Sequence, residues 1–403
     1  MPRLKFLFFF LSCLLLIISA CDRGQGVSAI PRTALEDSDM GPLPFSVSWV
    51  RIFYNESDED IWRPMEYAPP TVADGVVFIG NNLKRFYALD ASNGDVIWSF
   101  TTNGPVESGA VVLGDKVFFG DGDGYVYCLN RKDGFAKWTY RVQGQVMGRL
   151  ATDGNLIFVA TNHERLYAIN AEDGRWKWMQ GRDLPTTFTI RGVCSPVVDG
   201  DRVLMGYADG YFLAYRAADG SELFKTLLQK GERFTDVDAS PIIDGAYIYI
   251  ASYGGTFYCL SRDNASIQWT FRKGSVQNAA ISGEKVLLSD DEGLVHALDK
   301  KTGRELWGFD VRENDLLHSL ARGPRRKLKI PTSPIAYAGY VIVASSSGYV
   351  YALDEKDGTC KWSFWPGYGV TSAITLDHNH NLFIHTNYGN VYCLRPKYFY
   401  KFN

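Results

Sequence analysis

The 403-residue chain is 46% hydrophobic and 14% aromatic, with a formal net charge of −3. That length has room for two or three average domains, and the composition suits a globular, β-rich protein. The slightly acidic balance excludes the basic footprint of a nucleic-acid binder.

At the N-terminus, Arg3 and Lys5 precede an apolar run from Phe6 to Ile18. The run is too short to span a bilayer comfortably and has the layout of a signal peptide. It ends in Ile18-Ser19-Ala20-Cys21, which resembles the bacterial lipobox. Residues 1–20 are therefore read as a lipoprotein signal, and Cys21 as the lipidated first residue of the mature chain, anchored without a transmembrane helix. An ordinary secretory signal with a chance cysteine is the plainer alternative. Asp22 resembles the signal that retains enteric lipoproteins at the inner membrane, which leaves that membrane as a second address. Residues 21–42, rich in Gly, Ser, Asp and Pro, read as a flexible tether. The folded domain is expected over 43–397. Its first segment, Phe45 to Ile52, alternates and carries Trp49 but follows no glycine turn, so it is a solitary strand. The acidic run Glu56 to Asp60 reads as a solvated loop.

From about residue 66 one phrase recurs, clearest in GYVYALDEKDGTCKW, Gly348 to Trp362. A glycine opens an alternating run that ends in an anchor. A second glycine follows five residues on, and a tryptophan four beyond it. The alternation predicts a strand half-buried between two layers. Asp357-Gly358 predicts a hairpin turn, with Trp362 on the returning strand. The anchors are Leu89, Leu129, Ile169, Tyr215, Leu260, Leu298, Leu353 and Leu394, spaced by 38 to 55 residues. The turn position holds Gly94, Gly134, Gly174, Gly220, Ala265, Gly303 and Gly358. The large aromatic is Trp98, Trp138, Trp178, Phe224, Trp269, Trp307 and Trp362. A strand-only period of this length means propeller blades. Small residues, as in Ser195-Pro196, Ser240-Pro241 and Ser333-Pro334, mark the crowded innermost strands. The repeated tryptophan reads as a wedge between blades.

Eight anchors but seven returning aromatics leave one outer strand missing, and an unclosed ring exposes an edge. If the Trp49 strand supplies it, the termini meet in one blade. The expectation is an all-β, eight-bladed β-propeller of four-stranded antiparallel blades closed by an N-terminal clasp strand. A seven-bladed ring with a loose extra unit is the alternative.

Candidate chemistry is sparse. Cys128, Cys259 and Cys393 fill a slot that holds Ala88, Ala168, Ala297 and Ala352 in other blades, so they read as small buried residues. Cys360 and Cys393, in adjacent blades, are the one pair to check for a disulfide. His378, His380 and His385 read as chance neighbours rather than metal ligands. No nucleophile–base signature, phosphate loop or cofactor motif is found. The segment 321–330 places Arg322, Arg325, Arg326, Lys327 and Lys329 in an exposed loop, either merely solvated or touching anionic lipid. Arg191 precedes Pro196 by five residues and Asp236 precedes Pro241 by five, so the two are equivalent in blades 4 and 5 and emerge on the same face. Asp238 points the same way as Asp236 by alternation, and Phe188 and Ile190 project nearby. These five residues form an expected patch of apolar groups, one cation and two anions. An internal salt bridge is the plainer account of the charged members.

The phrase from Leu353 to Trp362 resembles the repeat named after pyrroloquinoline quinone (PQQ) dehydrogenases, but the adjacent Cys-Cys pair that those enzymes carry over the cofactor is absent. The repeat therefore argues fold rather than catalysis. A narrower resemblance is to the BamB-like outer-membrane assembly lipoproteins. It is carried by Thr189-Ile-Arg-Gly192, by Thr235-Asp-Val-Asp238 before Ala239-Ser-Pro241, and by Asn314-Asp-Leu-Leu-His318. The loop 321–330 departs from that pattern. The resemblance implies a non-catalytic scaffold without a cofactor, docked on a BamA-like outer-membrane assembly protein through the patch at Phe188, Ile190, Arg191, Asp236 and Asp238. It also implies possible contact with unfolded outer-membrane protein substrates through exposed β-edges. The alternatives are a ligand-binding redox propeller that uses its central channel, and an inner-membrane-retained lipoprotein with another periplasmic partner.

Overall fold

The computed structural model describes residues 45–54, 65–183, 193–229, 235–253, 255–314 and 330–397. Cys21, Phe188, Ile190, Arg191 and residues 321–329 of the basic loop lie outside the described residues. Eight four-stranded antiparallel sheets account for nearly all of the regular structure. Blade 1 shows the pattern: Thr71–Ala73 innermost, then Val76–Asn81, Arg85–Asp90 and, outermost, Val96–Thr101. Seven blades are continuous in sequence. The eighth takes its inner three strands, Thr375–Leu376, Leu382–His385 and Val391–Pro396, from the C-terminal end and its outer strand, Phe45–Arg51, from the N-terminal end.

The clasp copies the register of a normal blade. In blade 1, Trp98 faces Ala88 and Val96 faces Leu89, with a bulge at the intervening residue. In blade 8, Trp49 faces Cys393 and Val47 faces Leu394, again across a bulge. The same pairing of a large ring against a small slot residue recurs as Cys128 with Trp138, Ala168 with Trp178 and Cys259 with Trp269. This explains why the slot takes only Ala or Cys. The ring lies across it, and a larger side chain would overpack the seam. All five described cysteines are free thiols, Cys360 and Cys393 included.

The core lies between blades rather than inside them. One cluster joins Phe78, Phe86 and Trp98 of blade 1 to Val117, Phe119 and Tyr127 of blade 2. The third strands are consequently buried on both faces, as Phe86, Ala88 and Leu89 show. The half-buried strand expected from alternation is thus corrected: a strand sandwiched by two blades buries side chains on both faces along its middle. The hairpin turn expected at Asp357-Gly358 is present, joining Val350–Asp354 to Cys360–Phe364. The Asp354 N–H reaches Thr359 O at 2.7 Å, and the Gly358 N–H reaches Asp354 O at 2.8 Å, in a wider loop with Gly358 at φ 76°.

Each tryptophan clamps the next blade in two ways. Its ring lies on the turn glycine of that blade. A Cβ on Gly94 would sit 2.5 Å from the Trp49 ring, and one on Gly134 would sit 2.6 Å from Trp98. Its Nε1–H also donates to the carbonyl two residues after the next anchor: Trp49 to Ala91 at 3.0 Å, Trp98 to Arg131 at 3.0 Å, Trp178 to Ala217 at 2.8 Å and Trp307 to Glu355 at 3.0 Å. Two seams depart from the rule. Between blades 4 and 5 the ring is Phe224 and the turn residue is Ala265, at φ 54° and fully buried. The smaller ring leaves room for the methyl group. Between blades 7 and 8 the described residues hold no such turn, because the outer strand of blade 8 comes from the N-terminal end. Trp362 is 2% exposed, its ring is covered by Phe45 and Phe364, and its Nε1 has no hydrogen-bond partner.

Two outcomes follow from these seams. Phe224→Trp is expected to overpack and destabilise the protein by about 1–3 kcal/mol, and Ala265→Gly in the same chain should recover much of that loss. Urea unfolding of the two single variants and the double variant measures the coupling, and strict additivity would refute the size matching. Trp178→Phe should cost at least about 1 kcal/mol more than Trp362→Phe, since only the first leaves a buried carbonyl without its donor.

Candidate functional site

Asp236 and Asp238 lie in the segment leading into the innermost strand of blade 5, beside the hairpins between the second and third strands of blades 4 and 5. The two patch residues within the described structure are both buried there, Asp236 at 1% and Asp238 at 9% exposure. An exposed rim of charge at these two positions is therefore corrected. Val237, between them, turns into the apolar cluster of blades 4 and 5 and pins the segment down, and alternation carries both aspartates to the opposite side. The backbone is stitched on each flank. Val237 N–H donates to Tyr207 O at 3.2 Å, and Tyr253 N–H donates to Asp236 O at 2.9 Å. Thr235 Oγ1 donates to Ala208 O at 2.8 Å.

These aspartates belong to a larger acidic group contributed by several blades. Burial, and then the charges of Asp236, Glu164 and Asp291, pushes the Asp238 carboxyl well above the usual range. Asp238 Oδ2 has no hydrogen-bond partner. Burial raises Glu164 to about 7, with Asp209 and Asp236 adding to it and Arg182 and the Ala208 N–H opposing. Glu164 Oε2 accepts that N–H at 2.9 Å, tying blade 3 to blade 4. Burial also lifts Asp291 to about 6. Arg182 pairs with Asp209 and lies 4.5 Å over the Tyr211 ring, a second tie between blades 3 and 4. Chemically, Glu164, Asp238 and Asp291 are carboxyl groups whose proton affinity burial raises, which lets them donate as well as accept hydrogen bonds.

Glu164, Arg182, Asp209 and Asp291 escaped the sequence reading. One signal was present. Glu164 occupies the turn slot that holds Gly124, Gly210 or Gly293 in other blades, and it adopts φ 54° there. A side chain in a backbone region that favours glycine marks a position held for a reason other than turn formation. The histidines have structural places. His385 is buried, its Nδ1 lies 3.0 Å from Ala68 O of blade 1, and burial drops its pKa to about 4. His380 lies beside Tyr337. Among the described residues no group of three or more His, Cys, Asp or Glu is arranged to hold a metal ion.

The architecture defines the class: an eight-bladed propeller of PQQ-type repeats, closed by its own N-terminal strand. The family described as outer membrane protein assembly factor BamB matches residues 46–123, 103–309 and 276–397, and the chain belongs to that family. The BamB of Salmonella typhimurium is 28% identical over 182 residues, which cover 44% of this chain and 43% of that protein. The BamB of Kangiella koreensis is 26% identical over 215 residues, 51% of each chain. The matched stretches thus span about half, or less, of these relatives' length. Among solved structures, BamB from Moraxella catarrhalis superposes with a TM-score of 0.73 at 18% identity, covering 87% of this chain and 99% of that one. A quinohemoprotein alcohol dehydrogenase from Comamonas testosteroni superposes with a TM-score of 0.68 at 13% identity, covering 87% and 76%. Both structural likenesses concern the fold alone.

The raised Glu164 pKa sets a pH dependence. The folded chain holds this proton more tightly than the unfolded chain does. The associated stability is full below about pH 4.5 and is lost as pH rises through about 7. Glu164→Gln, a mimic of the neutral form, should match the wild type at pH 5 and exceed it at pH 8 by on the order of 2–3 kcal/mol in urea unfolding. Equal stabilities at both pH values would show that Glu164 titrates as an ordinary carboxylate.

Proposed function

We propose that the chain is a non-catalytic lipoprotein scaffold of outer-membrane β-barrel assembly, held at the periplasmic face of the outer membrane by lipid on Cys21. The observation that carries this reading is the family match across residues 46–397. In this reading a BamA-like protein docks on the lead-in segments of blades 4 and 5. Phe188, Ile190 and Arg191 supply contact, and Asp236 and Asp238 form an acidic floor. Several features support it. The buried Asp238 Oδ2, without a hydrogen-bond partner among the described residues, would gain from a cationic group brought by another protein. The outer strands end each sheet and expose Val96, Ile97, Trp176 and Leu223, the kind of edge on which an unfolded outer-membrane protein strand can pair.

Affinity capture from detergent-solubilised envelope tests the reading. The wild type is expected to retain a BamA-like protein. Ile190→Asp, Arg191→Ala and Asp236→Asn should each reduce its recovery about tenfold or more, with unfolding midpoints close to wild type. Normal recovery with all three variants would move the docking site elsewhere. Capture of a different periplasmic partner, with the anchor in the inner-membrane fraction, would favour retention by Asp22.

A further inference from the structure

Two residues before each innermost strand, the chain presents one residue toward the propeller axis. In blades 3 to 7 these are Arg149, Ser195, Ser240, Asn278 and Ser333, and they are linked hand to hand around the arc. The Arg149 N–H donates to Ser195 Oγ at 2.8 Å, the Ser195 N–H to Ser240 Oγ at 3.2 Å, the Ser240 N–H to Asn278 Oδ1 at 2.8 Å and the Asn278 N–H to Ser333 Oγ at 3.0 Å. Ser333 in turn donates through its N–H and its hydroxyl to Gln277 Oε1, at 3.0 and 3.1 Å. Their immediate neighbours, Cys194, Ala239 and Ala279, are buried, whereas Arg149 and Asn278 stay solvent-accessible. That combination places the arc on the lining of the axial channel.

The network has a one-sided chemical result. Every side-chain oxygen in the arc accepts a backbone N–H. Asn278 is therefore oriented with Oδ1 toward Ser240, and its Nδ2 hydrogens have no partner among the described residues. The hydroxyl hydrogens of Ser195 and Ser240 are likewise free to donate. Arg149 adds a guanidinium. Its stem crosses Gly109, where a Cβ would lie 3.0 Å from Arg149 Cγ, so the missing side chain is what lets the arginine reach the axis. Glu107 and Asp238 stand two residues earlier in their own segments, yet neither pairs with Arg149. No described carboxylate forms an ion pair with it, and the protein packed around it lowers its pKa with no opposing charge. A guanidinium without a counter-ion beside donors without acceptors favours one kind of guest, an anion.

We propose that this arc is a binding site for a single oxyanion of the carboxylate or phosphate class, held in the axial channel by Arg149 with the Ser195 and Ser240 hydroxyls and the Asn278 amide. The site adjoins the docking face, sharing the lead-in segments of blades 4 and 5, and does not depend on the function proposed above. Titration calorimetry of the full chain in non-ionic detergent at low ionic strength tests it. The probes are inorganic phosphate, acetate, and a short acetylated peptide with either a free or an amidated C-terminus. One saturable site per chain is expected. Arg149→Gln should weaken it about tenfold or more. Asn278→Asp should do the same, since it keeps the acceptor for Ser240 but replaces the free donor with a negative charge that repels the anion. Unfolding midpoints are expected to stay near wild type, and Arg149→Lys should fall between. Preference for phosphate identifies a phosphate source. Preference for the free over the amidated peptide identifies a chain terminus. No saturable binding of any probe, or equal affinity in wild type, Arg149→Gln and Asn278→Asp, overturns the site.

Discussion

The structure depends on one contact made again and again: an indole lying flat on a turn glycine of the next blade while its Nε1–H binds a carbonyl beside that turn. A four-stranded blade is too small to bury both of its faces. Its second and third strands are apolar on each side and become stable only when neighbours cover them. The indole fixes the spacing and orientation of that neighbour. It combines a large apolar area, which is non-directional, with a hydrogen bond, which is directional. The small slot residue opposite and the glycine beneath are the space this contact requires. Where the ring shrinks to Phe224, the glycine can become Ala265 without conflict.

The functional face inherits its character from this packing. Segments leading into the innermost strands are held by backbone bonds to the adjacent blade, so their side chains have little freedom to relax. Carboxyl groups brought together by several such segments cannot separate, and burial then raises their proton affinity. The same rigidity works in the opposite sense in the axial channel, where the network uses up the acceptors and leaves a cation and donors facing inward. One ring thus carries an acidic face and a donor-lined interior with no change of fold.

Much of this was legible in the sequence, for physical reasons that differ from element to element. The repeat was legible because the indole, its slot and the turn glycine are coupled by contact and so recur at fixed offsets. The clasp was legible because Trp49 lacked a turn of its own while Leu394 lacked a returning strand. The burial of Asp236 and Asp238 was not legible. Sequence places charged residues at a lead-in, but only the position of Val237 in the core and the closeness of three other blades decide whether water reaches them. The acidic well itself joins Glu164, Asp238 and Asp291, which are far apart along the chain. Alternation and spacing report neighbours within a blade and are silent across seams.

The composite blade has a temporal meaning. Phe45 pairs with Pro396 and Arg51 with Val391, so the first strand to be synthesised finds its partner only when the last has been made. Until then the outer strand has nothing to pair with, and the seams on either side of blade 8 stay open. Joining ends so distant in sequence carries a loop-closure cost and slows the final step. A nascent ring therefore stays unlocked throughout its elongation. Locking of the ring and completion of its last strand thus become one event.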